Sequence, residues 1–395
     1  MRIYADNAAT TKTSEAAVKE MLKYLNEIYA NPSSLHTDGQ IAAEALQNAR
    51  QRIADRLNCL PSEIYFTSGG SEADNQAIIS AAVNGKRKGK THIISSAFEH
   101  HAVLHTLKKL EKEGFEITLL NVHENGIINP SELEKAITDK TCLVTIMFAN
   151  NEIGTIQPIE EIGKICKKHN VIFHTDAVQA AGHIKIDVKK LNIDMLSLSA
   201  HKFHGPKGAG VLYSRNGIAL SNIIEGGAQE RGKRAGTENL PAIMGMAIAL
   251  EQSLDNCEKD NEKMLKLRNK LTDGLLEIPH SILNGDREQR LSSNVNICFE
   301  GIEGESLLLL LDEKGVSASS GSACTSGSLD PSHVLLAIGR PHEIAHGSLR
   351  LSLCESNTEE EIEYIIKAVK EVVEYLRSIS PVWRDLCNGK RNFIV

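Results

Sequence analysis

Short apolar runs alternate with longer amphipathic segments through the first half of the chain. Runs such as 92–96, 141–148 and 195–199 have the length of buried strands, whereas 14–29 and 40–58 place apolar side chains at helical spacing. Strands that alternate with helices favour a mostly parallel sheet flanked by helices. The pattern therefore predicts an α/β fold.

Polar residues gather where the predicted strands end. In sheets of this kind, ligands bind at the carboxyl ends of the strands. We therefore expect a site built from these ends. Its candidate residues are Asn151, Asp176, Gln179, Ser199, His201 and Lys202.

Lys202 is the first candidate for chemistry, because it follows the apolar run 195–199 in a loop rich in turn residues. Burial at the mouth of a strand lowers the pKa of a lysine, and the neutral amine then forms a Schiff base with a carbonyl cofactor. The alternative is a surface loop in which Lys202 and Lys207 are solvated cations.

Asp176 lies upstream at the end of another apolar run. A carboxylate there can keep a pyridinium nitrogen protonated, so that the ring withdraws electrons from a carbanion while a lysine holds the aldehyde. Asp176 and Lys202 are therefore candidates to act together on one carbonyl cofactor.

The stretch 63–75 predicts a strand, a tight glycine turn and a helix that begins near Ser71. Free backbone N–H groups and the dipole at such a helix start form an anion site, which suits a cofactor phosphate. Gly70 and Ser71 are the candidates, and plain helix capping is the alternative.

The length of 395 residues exceeds what one compact core usually holds. The charged helical stretch 240–276 leads away from the first domain, and strand-like runs at 291–299 and 315–318 indicate an α+β unit beyond it. We predict a large domain at 12–257 and a smaller domain formed by 1–11 and 258–395.

Composition and net charge argue against several classes of function. The net charge of -7 and an aromatic content of 4% argue against a nucleic-acid surface. No apolar run is long enough to span a bilayer, so we expect a cytoplasmic protein without membrane contact. The eight cysteines lack a CxxC pair or zinc spacing, so we expect no stable metal site and mostly reduced, buried thiols.

Cys324 is the exception among these cysteines. Eight of the residues at 319–328 are Gly, Ser or Thr, a composition that stays flexible. A buried structural thiol fits such polar neighbours poorly. We therefore interpret Cys324 as a nucleophile on a loop of the small domain.

These segments, from 4–11 through the Lys202 loop and the Cys324 segment to 350–353, resemble the NifS/IscS-type cysteine desulfurases. These are class V aminotransferases and pyridoxal-phosphate enzymes of fold type I. Ser-Ser-Gly-Ser-Ala-Cys at 319–324 is similar to the first group of that family. The resemblance implies pyridoxal 5'-phosphate as cofactor and conversion of L-cysteine to L-alanine, with the sulfur moved to Cys324 as a persulfide.

The resemblance also implies roles in catalysis and substrate binding. Lys202 holds the cofactor and shuttles protons, and His100 stacks on the cofactor ring and acts as an acid or base. Cys324 attacks the substrate sulfur. Arg350 binds the substrate carboxylate, for which a guanidinium is suited, and Asn151 assists.

The cofactor contacts implied by the resemblance extend across the predicted site. Asn151 and Gln179 bind the region of the phenolic oxygen, and Thr237 reaches the phosphate of a neighbouring subunit, which implies a homodimer. The full set of contacts is Gly70, Ser71, His100, Asn151, Asp176, Gln179, Ser199, His201, Lys202 and Thr237.

The implied partners are an iron-sulfur scaffold protein or another sulfur acceptor, such as a tRNA-thiolation carrier. Cys324 is at most a transient iron-sulfur ligand. Two features depart from the family pattern: a second thiol, Cys354, follows the Arg350 segment, and the tail after 381 does not match the family's partner-binding segment.

Other functions stay open at this point. Transamination or selenocysteine cleavage needs no thiol on a mobile loop in the same way. A non-catalytic sulfur-protein scaffold predicts loss of Lys202 or Cys324, and both are present. A zinc site at His101 and His105 lacks a third ligand.

Overall fold

The computed structural model describes residues 2–320 and 331–395. These residues form three sheets surrounded by helices. The strands are β1 (Ile3–Tyr4), β2 (Ile64–Thr67), β3 (His92–Ser96), β4 (Glu116–Leu120), β5 (Thr141–Thr145), β6 (Ile172–Asp176), β7 (Met195–Ser199), β8 (Gly210–Ser214), β9 (Ser281–Leu283), β10 (Asn294–Phe299), β11 (Val316–Ser317) and β12 (Ser348–Ser352).

Helices connect most of these strands. They are α1 (Glu15–Asn26), α2 (Thr37–Leu57), α3 (Gly70–Arg87), α4 (His101–Lys112), α5 (Pro130–Ala136), α6 (Ile159–His169), α7 (Gln229–Gly232), α8 (Leu240–Leu276), α9 (Gly304–Glu313), α10 (His333–Ala337), α11 (His342–Ala345), α12 (Glu359–Ile379) and α13 (Pro381–Cys387). Among the described residues, no helix combines the length and the apolar character needed to cross a membrane.

The central sheet has seven strands in the order β2-β8-β7-β6-β5-β3-β4. Strands β7, β6, β5, β3 and β4 run parallel, and β8 is antiparallel to both of its neighbours. Every residue of β3, β5, β7 and β8 is buried, as expected for a sheet covered by helices on both faces. The predicted α/β fold with a mostly parallel sheet is confirmed.

The register of the parallel strands brings their carboxyl ends to one edge of the sheet. Asp176, the last residue of β6, lies opposite Ser197 of β7, and Ser199 ends β7. Asn151 follows β5 in the adjoining loop. The edge therefore collects the polar residues that the sequence places after separate strands.

A second core surrounds the sheet β12-β10-β9 and the parallel pair β1 and β11. It contains Ile3 and Ala5 from the N-terminal segment together with apolar residues of α8, α9 and α12. The long helix α8 contributes Leu250 to the first core and Leu271 to the second. The predicted domains, 12–257 and 1–11 with 258–395, stay a prediction, because Val334, Leu335 and Ile344 belong to the first core and α8 runs without a break across the boundary.

Segment 226–239, which precedes α8, is fixed to the large sheet by a buried ion pair. The Arg50 guanidinium donates to both carboxylate oxygens of Glu230, at 2.7 and 2.8 Å, and the two side chains are 3% and 2% exposed. Glu230 Oε2 also accepts a hydrogen bond from the backbone N–H of Phe66 at 2.9 Å. Glu230 and Arg231 have φ of 47° and 59°, a left-handed conformation that costs energy for residues other than glycine. The ion pair therefore holds a strained turn in place.

We predict that Glu230→Ala destabilises the fold by roughly 3–5 kcal/mol, because it leaves the charge of Arg50 buried and unpaired. The double variant Arg50→Ala/Glu230→Ala should lose less than the sum of the single losses. Denaturant unfolding of the purified protein measures these differences. The exposed pair Arg2–Asp312, 73% and 60% exposed, is the control, and its removal should cost less than about 1 kcal/mol. Equal losses at the two pairs would contradict the prediction.

Candidate active site

Lys202 lies in a tight turn directly after β7. The turn is closed by hydrogen bonds from Phe203 N and Gly205 N to the carbonyl oxygen of Ala200, at 3.1 and 2.9 Å. A Cβ atom at Gly205 would lie only 2.8 Å from Ala200 Cβ, so the close return of the chain needs glycine. The turn points the Lys202 ammonium at the N-terminal segment, where Nζ donates to the carbonyl oxygens of Ala8 and Ala9 at 2.6 and 2.8 Å.

Asp176 is 5% exposed at the end of β6, and its Oδ1 accepts a hydrogen bond from Val178 N at 2.9 Å. Burial raises the pKa of this carboxyl, and the charges of His100 and Lys202 oppose that rise. A buried carboxylate in this position is most stable beside a cation. Asp176 is therefore suited to hold a positively charged ring nitrogen.

Three further buried titratable residues surround Asp176, and the sequence analysis missed them. His174 lies two residues earlier on the same face of β6, with Nε2 3.6 Å from Asp74 Oδ1. Burial lowers the pKa of His174 to about 3 and raises that of Glu99 to about 8, and burial with the charge of Asp176 raises the pKa of Asp74. Burial therefore favours the protonated forms of Asp74 and Glu99, and the charge of Asp176 acts on both. The only sequence signal was the polar His174 directly after the apolar run 171–173, since Asp74 and Glu99 have polar neighbours.

His100 is the N-cap residue of α4. Its Nδ1 accepts a hydrogen bond from Ala102 N at 3.1 Å, so the proton of the neutral ring is on Nε2. The neighbouring His101 stacks on His105 and lies against His333, with ring centroids 5.0 and 4.7 Å away. Among the described residues, no group of His, Cys, Asp and Glu is arranged to hold a metal ion.

The start of α3 forms a candidate anion site. Gly69, the N-cap residue, offers no side chain to cap the first N–H groups of the helix. A Cβ at Gly70 would lie 2.6 Å from Val178 Cγ2, so the backbone approaches the neighbouring loop closely. Ser199 Oγ lies 3.6 Å from the Cβ position of Gly69, which places this hydroxyl beside the helix start. Ser71 is exposed at the same helix start.

His201 precedes Lys202, and its ring Nδ1 lies 3.2 Å from Thr10 Oγ1. Burial and the nearby charge of Lys202 lower the pKa of His201 to about 4. The ring is therefore a neutral hydrogen-bonding group at physiological pH. Gln179 reaches the same N-terminal segment, because its Nε2 donates to Ala8 O at 2.9 Å.

Arg350 lies on β12 and is 2% exposed. Its Nη2 donates to Asp6 Oδ1 at 2.7 Å and its Nη1 to Asn151 O at 3.1 Å. Its Nε is buried without a hydrogen-bond partner in the described part of the chain. A guanidinium with a free buried donor is suited to a carboxylate ligand. Asp6 was missed by the sequence analysis, since nothing local links it to β12.

Cys324 lies outside the described residues, within 321–330, but both flanks of that segment are described. Ser319 pairs with Arg350 through two backbone hydrogen bonds of 3.1 and 2.6 Å. On the other flank, Ser332 Oγ donates to Glu152 Oε2 at 2.5 Å, and His333 Nε2 lies 2.9 Å from Glu99 O. The described residues Ser319 and His333 thus lie beside Arg350 and Glu99, and Glu99 precedes His100.

The other cysteines differ in exposure. Burial raises the pKa of Cys59 to about 12 and those of Cys142 and Cys298 to about 11, and it also raises the pKa of Cys166 and Cys257. Each of these thiols is free and protonated at neutral pH. These five thiols are buried, as predicted.

Thr237 is exposed, and its segment is fixed by Arg234, whose guanidinium donates to Glu72 Oε1 at 2.9 Å. Glu72 follows Ser71 in the first turn of α3, so the segment that carries Thr237 is joined to the candidate anion site through Arg234. The other described candidates lie at the strand ends and on the N-terminal side of α3 and α4.

Comparison with known proteins gives one consistent result. The family model for aminotransferase class V matches residues 3–365. A cysteine desulfurase IscS of Methanosarcina thermophila is 56% identical over 96% of this chain and 94% of its own length, and one of Clostridium botulinum is 53% identical over 98% of both. A solved NifS-like protein superimposes with a TM-score of 0.90 at 40% identity, covering 95% of this chain and 100% of the other. The chain therefore belongs to the class V aminotransferase family and, within it, to the cysteine desulfurases.

Proposed function

We propose that this chain converts L-cysteine to L-alanine with pyridoxal 5'-phosphate and collects the sulfur on Cys324. The observation that carries the proposal is that Lys202 and Arg350 both bind the N-terminal segment, at Ala8 and Asp6, beside the buried Asp176. An amine for the cofactor aldehyde, an acid for its ring nitrogen and a guanidinium for an amino-acid carboxylate thus share one edge of the sheet.

The residues present fit pyridoxal phosphate. The α3 start without a side-chain cap, with Gly70 and Ser71, would hold the phosphate together with the Ser199 hydroxyl and the neutral His201 ring. Asp176 would face the ring nitrogen, His100 the ring, and Asn151 and Gln179 the phenolic oxygen. When bound, the cofactor supplies an electron sink for a carbanion at the substrate carbon.

Proton transfer falls to two side chains. Lys202 Nζ, once released from the carbonyl oxygens of Ala8 and Ala9, would take and return protons at the substrate Cα and Cβ. His100 would donate or accept through Nε2, because Nδ1 is occupied by Ala102 N. Arg350 would orient the substrate through its carboxylate, with Asp6 fixing the guanidinium.

Sulfur transfer requires a thiolate, which we assign to Cys324. The thiolate forms an S–S bond with the substrate sulfur while the Cβ–S bond breaks, and the electron pair of that bond remains on Cβ, where a proton completes L-alanine. The described flanks of 321–330 support this role, since they lie beside Arg350 and Glu99. The persulfide would then pass to an acceptor such as an iron-sulfur scaffold protein.

We also propose that the chain forms a homodimer. Helix α1 and the residues after it expose Leu22, Leu25 and Tyr29, which are 50%, 55% and 78% accessible. An apolar face of this kind is typical of a surface that a second subunit covers. In such a dimer, Thr237 would serve the neighbouring site.

Selenocysteine cleavage is the second candidate, because the same carboxylate and amine sites accept that amino acid. No described feature favours it over L-cysteine. The two are separated by comparing kcat/KM for the two substrates.

Lys202→Ala should abolish the visible absorption of a lysine-linked pyridoxal group and lower L-cysteine-dependent alanine release by roughly 10³-fold or more, because the amine is the proton carrier. Absorption spectroscopy and alanine release measure the two effects. Lys207→Ala, at an exposed position of the same loop, should keep both. Retained absorption and activity in Lys202→Ala would remove this residue from the mechanism.

Cys324→Ala should bind pyridoxal phosphate normally and release no alanine, because no thiol accepts the sulfur. Mass spectrometry of the wild-type protein after incubation with L-cysteine should show the persulfide on the peptide that contains Cys324. Cys387→Ala, at an exposed position, is the matched control and should form the same persulfide. A persulfide found only on Cys354 would assign the nucleophile to that residue.

Thr237→Ala should weaken the cofactor phosphate site of the neighbouring subunit. Hybrid dimers of Thr237→Ala and Lys202→Ala chains place both defects in one site and leave the other site intact. We therefore expect activity in hybrids near half that of the wild type, measured after co-expression with two affinity tags. Hybrids as inactive as the parents would show that Thr237 acts within its own subunit.

A further inference from the structure

A cavity of about 350 Å³ lies beside the Lys202 turn, and Ser14 and His204 are among the residues that line it. It is enclosed by α8, the turn after β6 and the residues that follow β12, and His183, His204 and Glu355 are part of its wall. His183 Nε2 lies 3.3 Å from the carbonyl oxygen of Lys202. The cavity wall thus contacts the backbone of the lysine directly.

His204, two residues after Lys202, is held by its backbone on both sides. Its N–H donates to Thr11 Oγ1 at 2.8 Å, and its carbonyl oxygen accepts from Ser14 N at 2.9 Å. Its φ of 63° is left-handed, a conformation that a histidine keeps only where the surroundings impose it. The position of this residue is therefore determined by the N-terminal segment.

Both nitrogens of the His204 ring face acceptors. Nδ1 lies 3.0 Å from the carbonyl oxygen of Lys12, and Nε2 lies 3.3 Å from Glu355 Oε2. Neither a carbonyl oxygen nor a carboxylate donates a proton. A neutral imidazole has one N–H and satisfies only one of these contacts, whereas the imidazolium satisfies both.

The charges around the His204 ring also favour the imidazolium form. Burial lowers the pKa of His204, but the hydrogen bond and charge of Glu355, the Lys12 carbonyl and the charge of Asp260 outweigh it and raise the pKa overall. The hydrogen bond from His204 in turn lowers the pKa of Glu355. The titratable and charged groups that face His204 or share the cavity wall are Glu355 after β12, Cys257, Lys259 and Asp260 of α8, and His183 of the turn after β6.

We propose that the imidazolium of His204 is a positioning residue, which fixes the Lys202 turn to the N-terminal segment through Lys12 and to the small domain through Glu355. The proposal rests on the proposed role of Lys202. Glu355 belongs to the chain that continues from β12, the strand of Arg350. The contact between His204 and Glu355 therefore connects the turn of Lys202, which would hold the cofactor, to the strand of Arg350, which would bind the substrate.

The sign of the pH dependence follows from the raised pKa of His204. The stabilisation is complete below the ordinary pKa of histidine, about 6.5, and is lost as the pH rises through the raised value. Above that value the ring keeps one hydrogen bond and loses its attraction to Glu355. We therefore expect the turn to be held less firmly at alkaline pH.

The first test uses the protein without cofactor, so that it does not depend on the reaction. His204→Asn keeps a residue that tolerates φ > 0 but does not reach Glu355, and Glu355→Gln removes the charge of its partner. Thermal unfolding of the wild type, both single variants and the double variant gives the coupling between the two side chains. We expect a coupling of about 1–3 °C in Tm at pH 6 that disappears by pH 9.

The exposed pair His123–Glu132, with side chains 49% and 39% exposed at 3.4 Å, is the matched control. Its double-mutant cycle should give little coupling at either pH. A coupling for His204 and Glu355 that is equal at pH 6 and pH 9, or absent at pH 6, would overturn the proposal.

The second test uses the holoenzyme. For His204→Asn, kcat/KM for L-cysteine should be about tenfold below the wild type at pH 6 and approach the wild-type value at pH 9. Glu355→Gln should show the same convergence. A loss that is constant with pH would mean that His204 only supports the fold, and would overturn the positioning role. If the wild type itself releases no alanine, the proposed function fails, and the unfolding cycle still decides whether the His204–Glu355 contact titrates.

Discussion

The charge of Asp176 is the constraint on which the candidate site depends. A carboxylate this deeply buried is costly unless a positive charge faces it, and the charge of Lys202 opposes the rise that burial gives the pKa of Asp176. Asp74 and Glu99 lie near it as further acids, and burial raises the pKa of both. A cationic ring nitrogen bound at this point would relieve the cost of burying the Asp176 carboxylate.

The N-terminal segment connects the parts of the site. Its carbonyl oxygens at Ala8 and Ala9 receive the Lys202 ammonium, its Asp6 receives Arg350, and its Thr11 and Ser14 hold the backbone of His204. Residues separated by most of the chain thus share one short strip of backbone. A displacement of this strip would change the cofactor side and the substrate side together.

The distribution of thiols fits a protein that handles sulfur. Burial holds five cysteines in the unreactive protonated form, which removes them as competitors for sulfur. Cys354 is only partly buried, and its Sγ lies 3.0 Å from Ser356 Oγ. It lies next to Glu355, so this departure from the family pattern adjoins the contact with His204.

The sequence by itself determined the α/β fold, the family and the identity of the residues at the strand ends, because strand length, glycine turns and polar strand ends are local patterns. It predicted Lys202 and Asp176 from their positions after apolar runs, and their proposed roles stay predictions. It did not find Asp6, Asp74, His174, Glu99 or the pair of His204 and Glu355. The roles of these residues depend on contacts between distant segments, such as Asp6 with Arg350 and His204 with Glu355, and on burial that shifts a pKa. Only the folded chain fixes those distances and that burial, since no local pattern encodes which distant residue will lie opposite a given side chain.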